Sequence, residues 1–113
     1  AGLQADLKVI ASLGAYGMTV VTAITAQNTL GVTKIQGIDL DVIDAQIDAV
    51  VSDIGVDAVK IGMLSTAEII ETVAASLLRY KAKKIVLDPV MVATSVREVV
   101  AQVLASGVKL ITG

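Results

Sequence analysis

The 113-residue chain is 55% hydrophobic, 18% charged and 2% aromatic, and its nine basic and eleven acidic residues give a net charge of −2. That length fits one small domain covering residues 1–113, and the charge balance excludes the concentrated basic face that a nucleic-acid partner requires. With neither Cys nor His present, disulfides, thiolate nucleophiles, imidazole triads and Cys/His zinc sites are excluded, so chemistry must come from carboxylates, lysines, amides, hydroxyls or backbone.

Phe and Trp are missing too, Pro89 is the single proline, and the chain opens at Ala1 without Met. Together these features suggest an engineered or cut-down chain. The longest uncharged stretch, residues 9–33, is long enough to span a bilayer. It carries Gly14, Gly17, Gln27, Asn28, Gly31 and four threonines up to Thr29, which suits a helix end, a buried strand and a polar loop better than a membrane. No basic segment with an adjoining apolar core stands at Ala1, so no secretory signal is read there. The expectation is a cytoplasmic protein with no membrane partner.

Four helix-then-strand units follow in chain order. The first helix is expected over about residues 2–13, with Leu3, Leu7 and Ile10 on one stripe and Gly14 as its stop. A strand over 18–24 and a polar loop over 25–29 come next. The second helix, about 39–54, gathers Leu40, Ile43, Ile47, Val50 and Ile54 on one face, with Asp41, Asp44 and Asp48 opposite as a solvated face. A second strand is expected over 57–62. Ser65-Thr66-Ala67-Glu68 reads as a capping box opening a third helix, whose apolar stripe is Ile69, Ile70, Val73, Leu77 and Leu78. A third strand over 84–88, a fourth helix opening at Ser95-Val96-Arg97-Glu98 and ending near Gly107, and a last strand over 108–112 complete the series. Helices alternating with Val- and Ile-rich strands imply an α/β domain, a parallel four-stranded sheet flanked by helices in a Rossmann-like or flavodoxin-like three-layer sandwich.

Ligands of such sheets bind outside the carboxyl ends of the strands. That rule selects Thr25-Ala26-Gln27-Asn28, Gly62-Met63-Leu64, Asp88-Pro89-Val90-Met91 and Thr112-Gly113. It sets aside the basic cluster Arg79, Lys81, Lys83 and Lys84 at the amino ends. Asp88 suits either a magnesium ion or phosphate-bound water, or a cap for nearby loop amides. Gln27 and Asn28 offer donor and acceptor groups matched to a heterocycle edge, and equally to turn chemistry. Lys60 interrupts an apolar strand, so it must snorkel, pair in a salt bridge or meet a phosphate. Gly62-Met63 would let a flat ligand approach the backbone, with core filling as the alternative for Met63.

Several segments resemble one family. They are Ala1-Gly2-Leu3-Gln4-Ala5-Asp6-Leu7-Lys8, Leu13-Gly14-Ala15-Tyr16-Gly17-Met18, Thr25-Ala26-Gln27-Asn28-Thr29-Leu30-Gly31-Val32, Val56-Asp57-Ala58-Val59-Lys60-Ile61-Gly62-Met63-Leu64 and Leu87-Asp88-Pro89-Val90-Met91-Val92-Ala93-Thr94-Ser95. In order and spacing they are similar to the hydroxymethylpyrimidine (phosphate) kinases of thiamin biosynthesis, of the ribokinase-like fold, with pyridoxal kinases as relatives. The resemblance implies that Gln27 and Asp6 contact the pyrimidine or its hydroxymethyl group and that Gly2, Met63 and Val90 line the same pocket. It sets Asp88 near magnesium and the phosphates, with ATP and Mg²⁺ as the family's cofactors.

The departures shape the expectation equally. The family's first strand, which precedes the Ala-Gly at Ala1-Gly2, is not in this sequence, and beyond Ser95 neither the family's Gly-Asp loop nor its Gly-Thr-Gly-Cys-like anion hole is found. The expectation is therefore an engineered or excised scaffold without catalytic activity and without cofactors of its own, no residue being assigned a catalytic role. The alternatives are a pyrimidine-binding protein or kinase with residual phosphotransfer to 4-amino-5-hydroxymethyl-2-methylpyrimidine, and an interaction module built on an exposed sheet edge. Residues 108–113 are similar at their Leu-Ile-Thr-Gly end to the family's first strand. They are expected to enter the sheet between the strands over 18–24 and 57–62, in a circularly permuted order of first, fourth, second, third. A strand-exchanged homodimer is the other way to close that gap, and a monomer follows from the first.

Overall fold

The first helix, α1 (Gly2–Ser12), ends where its sequence says it should. Gly14 takes a left-handed φ of +78°; its N–H donates to the Ala11 carbonyl and the Ala15 N–H to the Ile10 carbonyl, the paired bonds of a Schellman stop. The chain then doubles back over the helix. A Cβ on Gly17 would stand 2.7 Å from Leu7 Cδ2, so a larger residue there would require the Leu7 side chain to shift. Leu3, Leu7 and Ile10 are half-buried, with Leu7 and Ile10 beside Gly17 of the returning chain. The structure, a computed structural model, describes residues 2–62, 64, 66–87 and 109–112.

The next segment departs from the expected order. Residues 18–22 pair with no strand among the described residues, and strand β1 is Ala23–Asn28, joined by a two-residue turn to β2, Gly31–Gly37. The two form an antiparallel hairpin in which Ala23 faces Gly37 and Ala26 faces Lys34; the register slips at Ala26/Gln27. Thr33, left over at that slip, donates its hydroxyl to the Ala26 carbonyl at 3.1 Å. The expected polar loop over 25–29 is thus mostly strand. Asn28 Oδ1 accepts the Leu30 N–H at 2.9 Å, an Asx turn that closes the hairpin. In place of a neighbouring strand, Val21 is held by a side chain. Its N–H donates to Gln46 Oε1 and its carbonyl accepts from Gln46 Nε2, both at 2.9 Å.

Helix α2 (Leu40–Asp53) and helix α3 (Ala67–Arg79) carry the core. Ile43 and Ile47 of α2 meet Ile69, Val73, Ala74 and Leu77 of α3, together with Ala82 and Ile85. The expected stripes supply Ile43, Ile47, Ile69, Val73 and Leu77 but not Ala74, Ala82 or Ile85; Leu40 and Ile54, at the two ends of the α2 stripe, remain exposed. The α3 cap falls one residue later than the capping-box reading. Thr66 is the N-cap and its hydroxyl accepts the Ile69 N–H, which places Glu68 in the first turn rather than at the reciprocal position. Among the described residues no helix is long and apolar enough to cross a membrane.

Strands β3 (Val59–Ile61), β4 (Lys84–Leu87) and β5 (Lys109–Thr112) form a parallel sheet in the order β3-β4-β5. Val59 and Ile61 pack against the core that α2 and α3 build. Alternation along the strand therefore sends Lys60 to the opposite face, where it meets Asp6 of α1 at 2.7 Å. Helices lie on both faces, an α/β layering as expected, but among the described residues the strands form this three-stranded parallel sheet and the hairpin rather than a single four-stranded parallel sheet.

The permuted order is overturned. Lys84 faces Lys109 and Leu87 faces Thr112, so β5 lies on the outer side of β4 and not between the earlier strands. A crossover from one parallel strand to the next in sequence most simply returns beside it, and β5 follows that rule. The expected fourth helix over 95–107 lies outside the described residues.

Candidate functional site

The carboxyl end of β3 is where the sheet and α1 bring chemistry together. Lys60 Nζ donates to Asp6 Oδ2 at 2.7 Å, linking residues 54 apart in sequence. Each side chain stays about a third exposed, 34% for Lys60 and 35% for Asp6, so ligand can reach both. The ammonium also lies 3.8 Å from the position a Cβ on Gly62 would take. Gly62 thus leaves bare backbone beside the ion pair, just past the strand end. This answers the sequence question about Lys60: it pairs in a salt bridge, and its partner is one of the residues the resemblance assigned to the pyrimidine.

The remaining expected residues are distributed as follows. Gly2 opens α1, exposed and with nothing within 4 Å of a Cβ built there. Gln27 lies near the end of β1, exposed, with its Oε1 accepting from the Thr25 hydroxyl at 3.5 Å. Among the described residues no hydrogen bond joins Gln27 to the Asp6–Lys60 pair. Asn28 is engaged in its turn. Met63, Val90 and Asp88 lie outside the described residues. Among the described residues no group of three or more His, Cys, Asp or Glu side chains could hold a metal ion.

Two other features carry polar or concave surface. A depression of about 160 Å³ on the hairpin is lined by Ile24, Ala26, Lys34, Ile35 and Gln36, of which only Ala26 lies in a segment selected from the sequence. It is smaller than the roughly 300–1,000 Å³ of an ordinary ligand pocket. Between α2 and α3, Asp44 Oδ1 accepts from the Ser76 hydroxyl at 2.6 Å and from Arg79 Nη2 at 3.0 Å. These bonds, the Ser76 hydroxyl first and the Arg79 guanidinium second, hold the Asp44 carboxyl below the usual aspartate range. Asp44 is therefore more than part of a solvated face. Arg79 also lies over the Tyr80 ring, 4.9 Å from its centre, which accounts structurally for one member of the basic cluster.

An α/β layering, with α1 tied to a parallel strand through the Asp6–Lys60 ion pair, is consistent with the ribokinase-like small-molecule kinases, and solved structures of that class superpose on the chain. Phosphomethylpyrimidine kinase from Clostridium difficile 630 matches with a TM-score of 0.79 at 43% identity, over 87% of this chain and 46% of that one. Bacillus subtilis pyridoxal kinase, solved as an ADP complex, matches with a TM-score of 0.78 at 36% identity, over 96% of this chain and 43% of that one. The family described as phosphomethylpyrimidine kinase matches residues 1–111, and the chain belongs to it. The hydroxymethylpyrimidine/phosphomethylpyrimidine kinase of Rhizobium meliloti (strain 1021) is 56% identical over 95 residues; these cover 84% of this chain and 35% of that protein. The chain thus spans about a third of the length of such relatives.

The pairing of Asp6 with Lys60 is the site feature that sequence reasoning left open. Its one signal was a charged residue inside an apolar strand, which demands a partner without naming it.

Proposed function

We propose that this chain is the pyrimidine-recognising portion of a hydroxymethylpyrimidine/phosphomethylpyrimidine kinase, and that the 113 residues by themselves bind the pyrimidine without transferring a phosphoryl group. The observation that carries the reading is the Asp6–Lys60 pair set beside the bare backbone of Gly62 at a strand's carboxyl end. A 4-amino-5-hydroxymethylpyrimidine offers an exocyclic amine and a hydroxyl, both donors, and an exposed carboxylate accepts from either. Gln27, whose amide both donates and accepts, suits the ring nitrogens and amine of the same heterocycle. The glycine beside the pair admits the flat ring.

Phosphoryl transfer asks for more. It depends on donors positioned around the phosphates as charge develops. These residues contain no cysteine, and hence no Gly-Thr-Gly-Cys-like anion hole of the kind the resemblance implies for the family. Nothing among the described residues supports the expectation of an engineered origin.

Calorimetric titration of the chain with 4-amino-5-hydroxymethyl-2-methylpyrimidine, paired with a coupled assay for ADP, tests both halves. Saturable pyrimidine binding with no ADP released is expected. Absence of binding would contradict the recognition half. ADP release that depends on the pyrimidine and disappears in Asp88→Ala would contradict the other.

A further inference from the structure

We propose that Lys60 is a positioning residue for ligand recognition: its ammonium fixes the Asp6 carboxylate at the carboxyl end of β3 so that one carboxylate oxygen is held by the protein and the other is left for the ligand. This inference rests on the pyrimidine reading and deepens it. Three observations converge. The ion pair is short, 2.7 Å from Nζ to Oδ2, and bridges α1 to the sheet. Among the described residues Asp6 makes no other side-chain hydrogen bond, and Oδ1 meets no donor there. The Lys60 side chain runs along the strand until its ammonium stands 3.8 Å from the Cβ position of Gly62, which brings the cation to the strand end selected for ligands.

The energetics favour a role in recognition over one in folding. An ion pair exposed to this degree contributes about 0–1 kcal/mol to stability. What it does supply is order. An Asp side chain on the outside of a helix samples several rotamers, and a ligand that needs one of them bears the cost of selecting it. Lys60, approaching from the sheet, selects it before the ligand arrives. Val59 and Ile61 are anchored in the core on the other face, so the strand that carries Lys60 is itself fixed. A supporting group of this kind, held by a rigid element, keeps a binding constellation in its productive geometry.

The test uses the whole chain, 4-amino-5-hydroxymethyl-2-methylpyrimidine and its phosphate ester as separate ligands, and the variants Lys60→Met, Lys60→Arg, Asp6→Asn and Asp6→Asn with Lys60→Met. Amide spectra of each variant report that it is folded. Lys60→Met is expected to weaken binding of the alcohol up to about tenfold, the cost to the ligand of ordering the Asp6 side chain itself. Lys60→Arg, which keeps the cation, is expected to recover most of that loss. In the Asp6→Asn background Lys60→Met is expected to change affinity by less than about twofold, because a residue acting only through Asp6 has nothing left to act through. Unchanged alcohol binding in Lys60→Met would overturn the inference while leaving the pyrimidine reading in place. Loss confined to the phosphate ester would do the same, since it would make Lys60 a direct phosphate contact. Failure of the unmodified chain to bind either ligand would overturn the pyrimidine reading, and this inference with it.

Discussion

Asp44 sits half-exposed on α2 with two donors of α3 directed at one of its oxygens, the buried Ser76 hydroxyl and the Arg79 guanidinium. Both favour the ionised form, and they outweigh the opposing effect of burial to lower its pKa. A carboxyl whose folded pKa lies below its unfolded one adds stability that is fully present above the unfolded value. That stability is lost as pH falls through the folded value. Urea unfolding midpoints measured from about pH 6 down to pH 2.5, across the aspartate range, are therefore expected to fall less steeply at the acid end in Asp44→Asn than in the unmodified chain. Ser76→Ala should remove the larger share of that difference. Equal acid-side slopes in Asp44→Asn and the unmodified chain would show that the two donors do not couple to folding. In sequence, Asp41, Asp44 and Asp48 look alike. What separates Asp44 is the partner helix, and helical spacing within α2 carries no information about which turn of α3 lies opposite.

Helix ends were more legible than strand ends. Gly14 stops α1 with the bonds its sequence position implies, and Thr66, adjacent to the expected Ser65, caps α3. At the other end of α3 the same Schellman geometry is built without glycine. Lys81 adopts φ +54°, its N–H donating to the Leu78 carbonyl and the Ala82 N–H to the Leu77 carbonyl. A left-handed conformation costs an ordinary residue about 1–2 kcal/mol, while glycine returns roughly 0.5–1 kcal/mol of that through its freer unfolded chain. Lys81→Gly is expected to raise unfolding stability by about 0.5 kcal/mol, read from urea midpoints, with Lys81→Ala unchanged. A Lys81→Gly chain no more stable than Lys81→Ala would refute the strain. The β1–β2 hairpin was missed because its strands are largely exposed, with Ile24, Val32 and Ile35 left outside the core. Periodicity of burial, the main sequence signal for a strand, is absent where neither face is buried, and the only pointers were Asn28 and Gly31 on either side of a two-residue turn.

For the molecule as a whole, the alternation of helices and strands was readable and the neighbour relations were not. Apolar stripes identified α2 and α3 and most of the core, because burial leaves a period in the sequence. Strand order leaves none: β5 beside β4 follows from the crossover, whereas similarity between its last residues and another strand favoured a place it does not occupy. The candidate site was legible to the extent that strand ends attract ligands. That rule pointed to Gly62 and Gln27, and the resemblance added Asp6, but the contact that unites Asp6 with β3 spans 54 residues and needed the fold. We propose that these 113 residues recognise a pyrimidine at the carboxyl end of β3. The most direct test is a residue-resolved amide titration with 4-amino-5-hydroxymethyl-2-methylpyrimidine. Shifts are expected to saturate and to cluster at Asp6, Gln27, Lys60 and Gly62, with Arg79 and Lys83 at the amino ends unmoved. Absence of shifts at millimolar ligand, or shifts gathered at Arg79, Lys83 or the hairpin depression around Lys34, would contradict it.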